Sequence, residues 1–367
     1  MAYYFITASK DASIYLQQPN QNTGLDEILE VSKVYYGNIK DVSRALIKFD
    51  LNVLSNLIDN NEIVLDNVKL LLRETESQEI PLRYTILAHP ISGSWEMGNG
   101  TRFDKISTTG VTWRYREGDS RVDWLNNGLA IGSDSNPNDG TGGTWYTLVS
   151  SSQNFDYQSS DLNIDVTSIV NTWLSGTLPN EGFIIKYPNQ LEGFAVEDND
   201  DVDTNDYGQL KFFGKETNTI YQPKLVVGWD DQVFNTGSLL PVNLEEGDVV
   251  IRVKPLTNEY KLNTTKIIRL VGREKYPLKT FTNSFSYNDV KYLPSTTYYQ
   301  VKDYQSNDII IPFSDYSKVS CDVNGNFIKF NFSNWQPNRI YKIEFKVETD
   351  SDIIFFDDNI TFKIIEN

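Results

Sequence analysis

The chain has 367 residues, one cysteine, one histidine and a formal net charge of −17, and 13% of its residues are aromatic. A single cysteine excludes an intramolecular disulfide, and one cysteine with one histidine leaves too few ligands for a zinc site of the usual Cys/His kind. The excess of carboxylates argues against nucleic acid as a partner, because phosphates are bound by Lys and Arg.

The N-terminal segment, MAYYFITASKDASIY, lacks the basic stretch and long apolar stretch of a secretory signal. No apolar run in the chain approaches the ~20 residues that a membrane helix needs. We therefore expect a protein without a signal peptide that is made in a cytoplasm and does not enter a membrane.

Short apolar or alternating runs follow one another along the first part of the chain, among them SRALIKFDL, VKLLLRETE, RYTILAHPI, GFIIKYP and KLVVGWD. Clusters of Gly, Asn, Asp, Ser and Pro separate them, which is typical of antiparallel β-sandwiches. The residues after SRALIKFDL are compatible with a helical turn. His89 falls at the end of one predicted strand and has no predicted catalytic partner.

The segment 92–152 differs from its neighbours because it is polar, rich in glycine and studded with tryptophan. Its four indoles are Trp95, Trp113, Trp124 and Trp145. Two interpretations are open. The indoles form a surface on which sugar rings stack, or each one packs inward and fastens its own loop to the core.

One short helix is predicted in DVTSIVNTW. Asp165 is placed to cap it, because its carboxylate can accept from free backbone N–H groups of the first turn. Ile169, Val170 and Trp173 share one face at spacings of three and four, and Gly176 ends the helix. We expect Trp173 to anchor this helix over one end of the sandwich.

The densest acidic run, EDNDDVDTND, covers residues 197–206. Oxygen-rich loops bind calcium, so the run gives a candidate calcium site formed by Asp198, Asp200, Asp201 and Asp203. The alternative is a solvated loop between strands, since the run does not follow the EF-hand spacing. A second, weaker candidate contains Asp134 and Asp139. No other cofactor is expected.

Strand-like segments resume after WDDQVFNTGSL and continue to the end of the chain. We predict an all-β protein with two domains. Residues 1–231 form a jelly-roll β-sandwich with one short helix, and residues 232–367 form an Ig-like antiparallel β-sandwich. Cys321 is expected in the core. A hydrolase is the least favoured function, because no nucleophile–base pair can be named; we do not expect an enzyme.

Five motifs in the first domain resemble, in order, the DNRLRE-type jelly-roll family, which is related to carbohydrate-binding modules. They are KDASI, SRALIKFDL, DVTSIVNTWLSG, NEGFII and PKLVV. The resemblance implies a scaffold in which the second and third motifs share one core. Its structural positions here are Arg44, Phe49, Asp50, Asp165, Trp173, Gly182 and Phe183. Arg44 is expected to pair with a carboxylate or carbonyl; the alternative is an exposed arginine.

The arrangement of the whole chain also resembles structural proteins of large tailed bacteriophages, notably marine T4-like ones. The segments that carry this similarity are SWEMGNGTRFD, GVTWRYR, GGTWYT, WDDQVFNTGSL and FDDNITFKI. The resemblance implies a virion protein of the neck, tail, baseplate or fibre, made in the host cytoplasm. Its expected partners are other virion proteins and copies of itself. The alternative is an adhesin that binds a host surface glycan through the four indoles.

Overall fold

The protein is described from a computed structural model. The residues that it describes are 2–37, 39–60, 63–107, 109–124, 130–132, 141–157, 159–192, 204–244, 249–254, 257–276 and 290–366. Their regular structure is nearly all β, with 48% strand and 6% helix. The predicted all-β sandwich fold is confirmed.

The chain divides into two compact units that interleave along the sequence. The larger unit comprises residues 6–59 and 67–226, and the smaller unit comprises residues 1–5, 60–66 and 227–367. The two units are therefore not consecutive pieces of sequence. The predicted domains 1–231 and 232–367 stay a prediction from the sequence.

The strands of the first part of the chain are β1 Ala2–Tyr15, β2 Ile28–Tyr36, β3 Ile39–Phe49, β4 Asn67–Leu72, β5 Arg83–Pro90, β6 Tyr115–Glu117, β7 Val122–Asp123, β8 Ala130–Gly132, β9 Thr144–Tyr146, β10 Ser151–Asp156, β11 Leu162–Asp165, β12 Phe183–Lys186, β13 Gly208–Phe213 and β14 Lys224–Trp229. Eight of them follow the order β10-β5-β12-β3-β1-β14-β4-β11, and β2 pairs with both β3 and β13. The pairs of β1 with β3, β12 with β3 and β12 with β5 are antiparallel, so strands far apart in sequence lie side by side.

The larger unit contains two eight-residue helices, α1 Asn52–Asp59 and α2 Thr167–Leu174. The prediction of one short helix is therefore wrong. The segment after SRALIKFDL, where the sequence indicated a helical turn, forms a second helix. Neither helix is long and apolar enough to cross a membrane.

Helix α2 matches its prediction except at its first residue. Ile169, Val170 and Trp173 are buried, and Gly176 follows the helix with φ +72°. The N-cap residue is Val166 rather than Asp165. Asp165 nevertheless accepts from the backbone N–H of Thr167 at 3.0 Å, so its carboxylate still satisfies a first-turn donor.

Strand β3 and helix α2 share one core, as predicted, and Phe183 joins them. The ring centroid of Phe183 lies 6.1 Å from that of Phe49 and 4.6 Å from that of Trp173. Gly182 precedes it with φ +91°, and a Cβ there would lie 2.4 Å from the Ile47 carbonyl oxygen. A side chain at this position would therefore separate β12 from β3.

The strands of the second part are β15 Leu240–Pro241, β16 Val249–Lys254, β17 Glu259–Lys261, β18 Thr265–Glu274, β19 Lys291–Tyr292, β20 Thr297–Asp303, β21 Ile309–Ile311, β22 Ser320–Asp322, β23 Gly325–Asn331, β24 Ile340–Glu348 and β25 Ile353–Ile365. One sheet follows the order β15-β19-β18-β23-β22 with β16 beside β18, and the other follows β17-β25-β24-β20-β21.

Aromatic rings from these two sheets meet in the core of the smaller unit. Tyr299 of β20 lies 5.3 Å from Phe330 of β23, measured between ring centroids. Trp335 packs against both Phe332 and Tyr341, at 5.4 and 4.8 Å. Such edge-to-face pairs stabilise a core beyond the area that they bury.

Candidate functional site

The four tryptophans of the segment 92–152 lie in one buried cluster of the larger unit. Trp95, Trp113, Trp124 and Trp145 are 1–3% exposed. Trp95 donates to the carbonyl of Glu181 at 2.9 Å, and Trp124 donates to that of Thr112 at 3.2 Å. Because these rings offer no open face, a sugar ring cannot stack on them in this conformation. The arrangement is that of the second interpretation, inward-packed indoles.

Asn22, which the sequence did not single out, ties the same loops together. Its side-chain amide donates to the carbonyls of Met97 and Val111 at 2.8 and 2.7 Å. Its Oδ1 accepts from the backbone N–H of Gly100 at 2.8 Å. The fully buried side chain thus gives hydrogen-bond partners to backbone groups of these irregular loops.

Arg44, in the middle of β3, is fully buried and forms a two-point ion pair with Glu192. Its Nε lies 3.2 Å from Oε1 of Glu192, and its Nη2 lies 2.5 Å from Oε2. Its Nη1 donates to the carbonyl of Gly142 at 2.6 Å. Arg44 therefore pairs with both a carboxylate and a carbonyl, as predicted, and the exposed alternative is wrong.

Lys186 adds a second buried cation at the same carboxylate. Its Nζ lies 3.0 Å from Oε2 of Glu192, and the two side chains are 1% and 0% exposed. The same Nζ donates to Oδ1 of Asn189 at 2.7 Å and to the carbonyl of Tyr187. The turn after β12 brings these groups together, because Glu192 N–H donates to the Pro188 carbonyl at 2.9 Å.

Aromatic faces cover the two cations. The Arg44 guanidinium carbon lies 4.8 Å from the Trp113 ring centroid and 5.3 Å from that of Trp145. Lys186 Nζ lies 5.1 Å from the Trp145 ring. Ring faces attract cations that have lost their water, so the indoles partly replace the hydration of both groups. We call the following residues the Arg44 cluster: Arg44, His89, Trp113, Trp145, Lys186 and Glu192.

His89 lies at the edge of this cluster, near the end of β5, as predicted. Its ring centroid is 5.8 Å from that of Trp145, and its Nδ1 has no hydrogen-bond partner among the described residues. Burial, together with the positive charges of Lys186 and Arg44, lowers the pKa of His89 to about 4, although a hydrogen bond with the Tyr146 backbone opposes the shift. The imidazole is therefore neutral at pH 7.

Two grooves of the larger unit lie outside the cluster. One, of about 490 Å³, is lined by Lys48, Asp50, Trp173, Asn180 and neighbouring residues. In this groove the carboxylate of Asp50 accepts a hydrogen bond from the first backbone N–H of α1 at 2.9 Å. Asp165 makes the same kind of hydrogen bond to the first residue of α2. The other, of about 290 Å³, lies beside the pair formed by Arg102 and Glu30.

The calcium candidates Asp198, Asp200, Asp201 and Asp203, and the weaker pair Asp134 and Asp139, lie outside the described residues. Among the residues that are described, no group of three or more His, Cys, Asp or Glu side chains is placed to hold a metal ion. Cys321 is fully buried in β22, as predicted, and burial raises the pKa of its thiol to about 11.

The sequence thus identified Arg44 but missed the residues that complete its environment. Glu192 and Lys186 lie 148 and 142 positions beyond it in an unremarkable turn and strand end. One signal was available in the sequence. Lys186 lies in the apolar run GFIIKYP, where a strand is expected to be buried, and a lysine is almost never fully buried without a partner.

In comparisons with known proteins, no family model matches this chain and no curated protein matches it.

Proposed function

We propose that this chain is a non-enzymatic structural component of a tailed-bacteriophage virion, in its neck, tail, baseplate or fibre. It acts through contacts between neighbouring copies of itself and with other virion proteins. The sequence resemblance to phage structural proteins supports the virion assignment. A β-sandwich scaffold whose aromatic side chains pack into a core supports a mechanical role.

The observation that carries the proposed contact is an apolar patch on the smaller unit, formed by Phe313, Ile353 and Phe355. Ile353 and Phe355 are 60% and 66% exposed and, two residues apart on β25, share one face of the sheet. The Phe355 ring lies 5.9 Å from that of Phe313. Contiguous exposed apolar groups mark interaction sites, and a second copy would cover these.

The contact is tested by replacing both exposed residues, as Ile353→Ser with Phe355→Ser, and measuring self-association by sedimentation velocity. We expect the wild type to associate and the double variant to be monomeric. Val323→Ser is the matched control, because Val323 is 61% exposed outside the patch. A monomeric wild type, or equal association in all three proteins, would contradict the proposed interface.

Membership in the particle is tested separately by quantitative proteomics of purified virions. We expect this chain at a fixed copy number relative to the other structural proteins. Its absence from purified particles would overturn the assignment, whatever the sedimentation result. We do not propose the glycan-binding alternative, because the four indoles on which it depends are buried.

A further inference from the structure

The turn that follows β12 places an amine, a carboxamide and a carboxylate within reach of one another. Lys186 Nζ lies 2.7 Å from Oδ1 of Asn189 and 3.0 Å from Oε2 of Glu192. The amide carbon of Asn189 is one C=O bond, ~1.2 Å, beyond its oxygen. It therefore lies within ~4 Å of the amine, close to the ~3–3.5 Å of a reactive arrangement.

The surroundings of these groups favour reaction over exchange with water. Lys186 and Glu192 are 1% and 0% exposed, and the Trp145 ring lies 5.1 Å from the amine. Asn189 is itself half-buried. At a site with so little water, a hydrogen bond from nitrogen to its amide oxygen polarises the carbonyl more strongly than it does in bulk water. The short turn holds the three groups in place, which removes the entropy cost of bringing them together.

From this geometry we propose that Lys186 and Asn189 join spontaneously through an intramolecular isopeptide bond. The carboxylate of Glu192 takes a proton from the Lys186 ammonium, and the freed amine attacks the side-chain amide carbon of Asn189. A C–N bond forms to Lys186 and the C–NH2 bond of Asn189 breaks. The departing nitrogen takes the proton held by Glu192 and one further proton from the Lys186 nitrogen, so it leaves as an ammonium ion and Glu192 is again a carboxylate. The neutral chain becomes lighter by one ammonia, and nothing is oxidised or reduced.

The cross-link fixes the segment that carries Glu192. The bond closes the chain from residue 186 to residue 189, and Glu192 stays paired with Arg44 through both of its carboxylate oxygens. The stability gained from so short a closed loop is small. Its main effect is to hold the turn in the conformation that the Arg44–Glu192 pair requires. The inference goes beyond the proposed function and does not depend on it.

The test is the intact mass of the purified, denatured full-length chain. We expect a mass lower than the sequence mass by one ammonia molecule. Tryptic peptides should show that the chain is not cleaved after Lys186 and that Lys186 is bonded to Asn189 in the fragment spectra. A mass equal to the sequence mass overturns the proposal.

Variants separate the cross-link from other losses of ammonia. Lys186→Arg and Asn189→Ala should each have their full sequence mass, and Glu192→Gln should show little or no ammonia loss. Lys48→Arg is the matched control, because Lys48 lies 2.8 Å from Glu181 in a comparable ion pair; it should still lose ammonia. A loss that persists in Lys186→Arg would be cyclisation of an asparagine onto its own backbone and would overturn the proposal. Complete cross-linking in Glu192→Gln would contradict the role given to Glu192.

Discussion

The two units shift the pKa values of their acidic groups in opposite directions. In the larger unit, burial raises the pKa values of Asp11, Asp26 and Glu30. In the smaller unit, hydrogen bonds from Arg269 and Lys342 lower those of Asp322 and Asp357. The three acids of the larger unit are thus shifted by burial, whereas the two of the smaller unit are shifted by pairing with a cation.

The difference teaches that aromatic side chains can serve two kinds of core. In the larger unit the Trp113 and Trp145 rings cover the buried cations of the Arg44 cluster. In the smaller unit the Phe332 and Trp335 rings pack on other rings. We therefore expect the larger unit to be sensitive to changes of charge and the smaller unit to changes of volume.

The largest effect is expected from Glu192→Ala. Breaking a buried ion pair by removing one partner typically costs about 3–5 kcal/mol, because the remaining charge stays buried. The free energy of unfolding of the larger unit should fall by that amount, measured by denaturant titration with hydrogen-exchange mass spectrometry of each unit. Peptides from the smaller unit should change little.

The matched control for that prediction is Asp156→Ala. The pair of Arg83 with Asp156 has a similar distance, 3.0 Å, but its side chains are 72% and 60% exposed. Exposed pairs contribute about 0.2–1 kcal/mol. If Glu192→Ala and Asp156→Ala had equal effects, the contrast between a charged core and surface pairs would be wrong.

A smaller effect, with a marked pH dependence, is expected from Asp11→Asn. Asp11 is 1% exposed, accepts from the Lys215 backbone N–H at 2.5 Å, and has a pKa raised to about 7, chiefly by burial. Between its ordinary value of 3.8 and about 7, the folded chain binds a proton that the unfolded chain has released. The contribution of Asp11 to stability therefore falls as the pH rises through this window and is constant above it.

Asparagine keeps the acceptor oxygen and cannot ionise. The variant should be more stable than the wild type at pH 8, by up to roughly 4 kcal/mol, since each unit of pKa shift corresponds to ~1.4 kcal/mol. The advantage should vanish as the pH falls to about 4, the ordinary pKa of aspartate. Thermal melts of both proteins across this range test it, and an advantage that does not depend on pH would contradict the buried, titrating carboxyl.

In the smaller unit, Phe332→Leu should cost about 1–2 kcal/mol, because leucine is smaller than phenylalanine and leaves part of a packed core unfilled. Phe332 contacts the rings of Tyr260, Trp335 and Phe362. The loss should be the same at pH 5 and pH 8, because the substitution neither adds nor removes an ionisable group. Denaturant titrations at the two pH values measure it, and a pH-dependent loss would show a charge in this core.

The sequence predicted what local patterns determine and missed what the tertiary structure brings together. Alternation and turn residues predicted the β fold, and the spacing of Ile169, Val170 and Trp173 predicted the buried face of α2. A carboxylate or carbonyl was predicted as the partner of Arg44, but Glu192 was not identified as the residue that supplies it. That residue reaches Arg44 through a turn whose position depends on the pairing of β12 with β3. The burial of the four indoles likewise depends on loop contacts through Asn22 that have no sequence period.

The smallest effect is expected from Asp322→Asn, and its pH dependence should be opposite to that of Asp11→Asn. Asp322 Oδ1 lies 2.5 Å from Arg269 Nη1, and both side chains are about one-third exposed. The pKa of Asp322 is lowered, so its contribution to the free energy of unfolding is present above the ordinary value of 3.8 and is lost as the pH falls through the lower folded value.

The Asp322→Asn variant should be less stable than the wild type by about 0.2–1 kcal/mol at pH 7. The difference should shrink in high salt, which screens exposed pairs, and should also shrink as the pH falls through the lowered pKa of the folded carboxyl, because the wild-type carboxyl then becomes protonated as well. Asparagine can still accept from the Asn324 backbone N–H, which lies 2.8 Å from the Asp322 carboxylate, so the turn between β22 and β23 is retained. Denaturant titrations at pH 7 and pH 3, each at low and high salt, therefore isolate the ion pair, and a difference that grows towards acid pH would place this carboxyl with the buried acids of the larger unit.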